Sequence, residues 1–161
     1  MGLDMYLSAR KYVQRKDYGT MRDTQVFDSL VTLVEARDIV ESEGFTGATI
    51  EIPVAYWRKA NWIHNWFVNT VQNGNDDCKD YYVPKDKLVE LHQTIKLVLD
   101  KPDMARAKLA GVDGFFFGDS NIYNEDGTLN DYYKQTLEYT LERLNKVVNQ
   151  KDVDIYYQSS W

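Results

Sequence analysis

Cysteine is all but missing from this chain: Cys78 stands alone among 161 residues, so no internal disulfide can form. That excludes a small scaffold stapled by bridges, and with no signal-peptide pattern at the start it points to a reducing cytoplasm. Histidine is nearly as scarce, with His64 and His92 the two copies. Zinc sites want several Cys and His at set spacing, and the chain cannot supply them. No apolar run approaches the roughly 18 residues that a membrane span requires. Neither sign of charge dominates: 19 basic against 25 acidic residues leaves −6, with the two signs mixed along the chain. A broad phosphate-binding surface is therefore not expected, and nucleic acid is a poor partner. Internal repeats, low-complexity linkers, Gly-rich phosphate loops and G-x-S-x-G elbows are absent as well.

What the chain does have is an ordinary globular balance, 43% hydrophobic and 27% charged. Its length fits one domain, residues 1–161, burying about 70% of the unfolded surface without help from metal or disulfide. Aromatic content is high at 14%, led by 12 Tyr and 4 Trp. Such rings fill cores, but Tyr and Trp also build binding surfaces because they are rigid and amphipathic.

Hydrophobic periodicity predicts the elements. Over residues 3–13, Leu3, Met5, Leu7 and Ala9 face one way and Asp4, Tyr6 and Ser8 the other, a half-buried strand. Residues 14–24 are polar and read as a loop. From Gln25 to Glu43, Phe27, Leu30, Val31, Val34 and Ile39 recur at helical spacing, with Thr24 as N-cap. "GATIEI" at 47–52 reads as a short strand closed by Pro53, and a helix is predicted from about Val54 to Asn73. "YYV" is a brief strand; Pro84 opens a helix with Leu88, Leu91, Ile95 and Leu99 on one face. Residues 100–113 look irregular with one helical turn, and "GFFFG" at 114–118 reads as a buried strand. Thr128 and Asp131 resemble a capping box for a last helix faced by Leu129, Tyr132, Thr136, Leu137, Leu141, Leu144 and Val148. "VDIYYQSSW" alternates again. The expected class is α+β: about four helices against a small, mostly antiparallel sheet that includes both terminal strands.

"YWRKANWIHNWF", 56–67, is the richest stretch. As a helix it puts Tyr56, Ala60, Ile63, Phe67 and Val71 on a core face. Arg58, Trp62, Asn65 and Asn69 then lie toward solvent. Trp57, Asn61 and His64 form a third row beside the core stripe, where a helix edge would border a cleft. The alternative is that Asn61 and His64 satisfy backbone groups of the neighbouring sheet while Trp57 closes the core edge.

Five stretches together resemble a widespread family of small phage and prophage proteins: "GLDMYL" (2–7), "YWRKANWIHNWFV" (56–68), "DDC" (76–78), "GFFFG" (114–118) and "YYQSSW" (156–161). The resemblance runs from end to end. In that family's pattern the positions matching Trp62 and Asn65 vary. "LAGVD" stands here where the family has a more Pro-containing loop. The resemblance implies a phage context, hence a host-cell cytoplasm, and brings no established activity with it.

Other chemistry is thinner. Asp76 and Asp77 in "DDCKD" could hold a hard cation, against the plainer reading of a solvated turn. "DSNIYNEDG" fails the calcium-loop pattern, with Asn124 where Gly is required and Asn130 where Glu is required. Cys78 with His64 as base, or His64 with Asp4 as orienter, are the conceivable catalytic sets. No cofactor is implied. Pairing of the terminal strands would put Asp4, Tyr6, Tyr156 and Gln158 on one face near the His64 row, if the register holds.

Three functions follow. The leading expectation is a binding protein with its pocket between the 54–73 helix and the sheet, taking a nucleotide-like small molecule. Trp57 and a Tyr would stack on its ring, Asn61 and His64 would bond its edge, and Arg58 or Lys59 would meet an anionic group. In a phage it would sequester a host immune signal. The second is a protein-directed inhibitor of a host defence complex, competing for a basic groove. The third is a small hydrolase built on His64, or a metal-assisted one using Asp76 and Asp77.

Overall fold

The alternation in "DMYLSARKYVQ" is realised as strand β1, Asp4–Gln14. The structure, a computed structural model, describes residues 2–15 and 17–161. Lys16, inside the expected 14–24 loop, lies outside them. The chain divides into two compact units, one made of the residues up to Ala9 together with Pro53–Trp161, the other of Arg10–Ile52.

The sheet has four strands in the order β2-β1-β4-β3, antiparallel throughout, with β2 Gly47–Arg58, β3 Tyr81–Tyr82 and β4 Asp154–Ser160. In β3 and β4, Tyr81 stands opposite Tyr157 and Tyr82 opposite Tyr156. Among the described residues there are six α-helices: α1 Met21–Leu33, α2 Arg37–Glu43, α3 Asn61–Thr70, α4 Lys85–Asp100, α5 Ala105–Lys108 and α6 Asp131–Val147. The fold is α+β. No helix among the described residues is long and apolar enough to cross a membrane.

In the larger unit one face of the sheet is covered. Leu3, Met5, Ile155 and Tyr157 from the strands meet Ile63 and Phe67 of α3, Leu91, Ile95 and Val98 of α4 and Tyr133, Leu137 and Leu144 of α6 in one buried cluster. Phe67 stacks on Tyr157 with ring centroids 4.0 Å apart. The helix predicted after Pro84 is α4; Leu88, Leu91 and Ile95 point inward as the spacing named, but the fourth buried position is Val98, with Leu99 only partly buried beside it. The smaller unit holds a separate core of Val13, Phe27 and Val31.

Five expectations are corrected. The helix predicted over 54–73 is a strand up to Arg58 and a helix only from Asn61. Pro53 does not end β2, because β2 is an edge strand and an edge position can do without a ladder N–H. The change of direction falls at Lys59, in the left-handed region at φ 57. Second, Trp62 does not face solvent: six of the ten residues of α3 are buried, Trp62 and Trp66 among them, as in a helix enclosed on most sides. Third, the single helix over 25–43 is two, α1 opened by a Thr20–Asp23 capping box and α2 set off by a turn at Glu35, φ 54. Fourth, "GFFFG" is a turn rather than a buried strand, and Phe115 is 95% exposed. Fifth, the last helix is capped by Asn130, whose side chain accepts from the N–H groups of Tyr132 and Tyr133, while Thr128 bonds to Asp126 instead.

Candidate functional site

Because β2 is an edge strand, its outward N–H and C=O groups have no neighbouring strand among the described residues. Two tyrosines of α6 take that role. Tyr139 presents its hydroxyl to the Tyr56 N–H at 3.2 Å, and the Tyr132 hydroxyl donates to the Arg58 carbonyl. The two lie seven residues apart on α6, two helical turns, and so share a face. Between strand and helix runs an open groove of about 330 Å³, lined by Tyr56, Trp57, Arg58, Tyr132, Gln135, Thr136 and Tyr139. That is at the small end of ligand pockets, which run from about 300 Å³ upward.

The groove's electrostatics are simple. Tyr56 donates to Asp4 at 2.5 Å, and that bond, with some desolvation, raises its phenol above the ordinary value. Burial raises Tyr132 likewise. Both hydroxyls stay protonated at neutral pH and act as donors. Arg58 supplies the positive charge: its side chain is 58% exposed beside Tyr56, and its ion pair with Asp4, Nη1 to Oδ1, is long at 3.7 Å. An exposed pair of that kind holds an arginine weakly. The guanidinium is therefore available to an anion.

The residues expected to border a cleft with Trp57 are elsewhere and are closed off. Trp57 lines the groove but its indole is 4% exposed, donating to Thr140 Oγ1 at 2.8 Å. Asn61 is fully buried. Its Nδ2 donates to the Phe117 and Asp119 carbonyls at 3.2 and 2.9 Å, and its Oδ1 accepts the Val112 N–H at 3.3 Å. This amide pins the loop that carries "GFFFG". Gly111 is glycine for the same reason, since a Cβ there would sit 2.6 Å from Asn61 Oδ1. His64 is 1% exposed and spans two partners, Tyr157 through Nδ1 at 2.8 Å and Asp76 through Nε2 at 2.9 Å. A carboxylate only accepts, so Nε2 donates to Asp76, and in the neutral ring Nδ1 accepts the Tyr157 hydroxyl. Trp161 Nε1 donates to the other oxygen of Asp76 at 3.1 Å. The Tyr157 phenol is held well above its ordinary value, chiefly by burial.

This geometry corrects the two catalytic sets. His64 is oriented by Asp76, not Asp4, and neither ring nitrogen is left for the Cys78 thiol. Asp76 and Asp77 diverge, Asp77 turning to Lys79 and Tyr81. Among the described residues no group of three or more His, Cys, Asp or Glu converges on a metal position. Asp4, Tyr6, Tyr156 and Gln158 sit at alternate positions from the buried Met5, Leu7, Tyr157 and Ser159, so they share the sheet face away from the helices. His64 lies on the other side of the sheet with Tyr157. Tyr6 packs on Tyr56 at 5.4 Å and Tyr156 on Tyr82 at 5.8 Å.

Of the expected set, Arg58 and Trp57 reach the groove and Asp4 supports it through Tyr56. Tyr132, Gln135 and Tyr139 were not anticipated, although two tyrosines a heptad apart on a predicted helix were a visible signal. No protein-family model matches the chain, and no curated protein or solved structure matches it either.

Proposed function

We propose that the protein binds a flat, anionic, nucleotide-like molecule in the groove between β2 and α6, and holds it without turning it over. The observation that carries this reading is the lining: Tyr132 and Tyr139 of α6 face the edge of β2 across one groove, with Arg58, whose side chain is 58% exposed, among the lining residues. Stacking a base on an aromatic ring contributes about 1–3 kcal/mol. Arg58 meets a phosphate by charge-assisted bonds, and Gln135 is placed to read a ring edge. Binding is favoured over hydrolysis because His64, on which a hydrolase would be built, is buried with both nitrogens engaged. The likeness of "GLDMYL", "YWRKAN" and "YYQSSW" to phage proteins supports a role in sequestering a host immune signal.

The test is calorimetric titration of the purified chain with a panel of mono-, di- and cyclic nucleotides. Arg58→Ala and Tyr132→Ala are each expected to weaken binding at least tenfold with the melting temperature little changed. Absence of binding by the parent across the panel at millimolar concentration ends the proposal, and product formation by the parent moves it to the hydrolase reading.

A further inference from the structure

The smaller unit carries an exposed apolar surface that its own core does not account for. Leu33 is 79% exposed, Val34 66%, Ile39 61% and Phe45 55%, all at the corner from the end of α1 to just past α2. α2 buries none of its residues, and the core beside it consists of Val13, Phe27 and Val31. Single exposed apolar residues are ordinary, but four within thirteen residues exceed that scatter. The same corner is acidic. From Asp28 to Glu43 the chain holds Asp28, Glu35, Asp38, Glu41 and Glu43 against Arg37 alone, five minus one, or −4 of the whole chain's −6. Arg37 is itself occupied, with Nη1 3.8 Å from Glu41 and Nη2 donating to Thr32 at 3.1 Å.

We propose that this corner docks a partner protein presenting an apolar strip flanked by lysine and arginine. Leu33, Val34, Ile39 and Phe45 cover the strip, and Glu35, Asp38 and Glu43 face its basic flanks. Nucleic acid and anionic membrane are repelled by the same carboxylates, so a basic protein segment is the occupant that satisfies both the apolar and the charged half of the surface. The inference is independent of the β2–α6 groove.

The probe is a fluorescein-labelled amphipathic helix of leucine and lysine, titrated against the full chain by anisotropy, beside a counterpart with glutamate for lysine. The lysine probe is expected to bind, more weakly as salt is added, and the glutamate probe at least tenfold less well. Leu33→Ser combined with Ile39→Ser is expected to lower affinity for the lysine probe at least tenfold with circular dichroism and melting unchanged. Equal binding of the two probes, or affinity indifferent to the double substitution, overturns the proposal. So does a reversible dimer in sedimentation velocity that the double variant abolishes, which makes the occupant a second copy. Stronger binding to phosphatidylglycerol vesicles than to the lysine probe also overturns it. If the double variant fails to fold, hydrogen exchange of the parent with the lysine probe decides: protection gained at 33–45 supports the docking surface, and protection gained elsewhere refutes it.

Discussion

Two short helices, α3 and α2, show how differently the two units use their apolar residues. α3 buries six residues of ten; α2 buries none of seven. In the larger unit the apolar side chains close a broad cluster on the sheet, and tyrosines of α6 line a groove with Arg58 at its border. In the smaller unit Val13, Phe27 and Val31 form the buried core, and apolar side chains of similar size remain outside. The comparison teaches that exposure of apolar surface follows from how many elements are available to cover it, and that a thinly cored region opens at lower cost than a thick one.

The largest expected effect separates the two cores. Leu91→Ala, at a fully buried position of α4, is expected to cost about 2–5 kcal/mol and to lower the whole urea transition of the larger unit. Phe27→Ala is expected to free the amides of residues 10–52 to hydrogen exchange while leaving that transition nearly where it was. Loss of protection across both units from Phe27→Ala would erase the distinction. Next is His64→Ala, which strands the buried Tyr157 hydroxyl and one oxygen of Asp76; a loss of about 3 kcal/mol is expected in urea unfolding. A loss below about 1 kcal/mol would mean that water replaces the imidazole.

Alkaline pH sharpens the contrast in another way. Tyr157 and Tyr133, both in the larger unit, have phenols raised above 10.0 by burial. Above that pH the unfolded chain gives up these protons while the folded one keeps them, so stability is full below pH 10 and falls as pH rises toward the folded values. Each contributes a slope of about 1.4 kcal/mol per pH unit. Tyr157→Phe is expected to remove one such increment from the slope of stability against pH, and an unaltered slope would mean the phenol ionises with little penalty. The smallest effect is that of Ile39→Ser, expected to change stability by no more than about 0.5 kcal/mol. A loss near that of Leu91→Ala would show that Ile39 belongs to a core after all.

Much of the fold was legible before the structure, for identifiable reasons. β4 alternates cleanly because one face of it is buried and the other is not, and β1 does so over Asp4 to Leu7. α4 repeats every three to four residues between Pro84 and Pro102. Residues 54–73 misled because two periods run into one another there. Ala55 and Trp57 alternate as strand residues, Ile63 and Phe67 recur as helix residues, and counting at 100° per residue across Lys59 makes a continuous stripe of both. The row of Trp57, Asn61 and His64 existed only in that imagined helix. Arg58 and Trp57 still arrived at a groove, because the edge of β2 put them there. Their neighbours Tyr132 and Tyr139 come from a helix some 75 residues away, which no local pattern links to position 58.

By itself the order of residues determined the α+β class, the two strands near the ends of the chain, and helix α4 with its inward face. Those depend on periodicity and on turn residues acting within a few positions, where side-chain direction follows from backbone geometry alone. Only the tertiary structure decided that Asn61 and His64 spend their polar atoms inside the protein, that "GFFFG" turns outward, and that tyrosines of α6 line a groove on β2. Each of those is settled by which distant groups arrive to satisfy a donor or cover a ring, and that depends on packing rather than on neighbours in sequence.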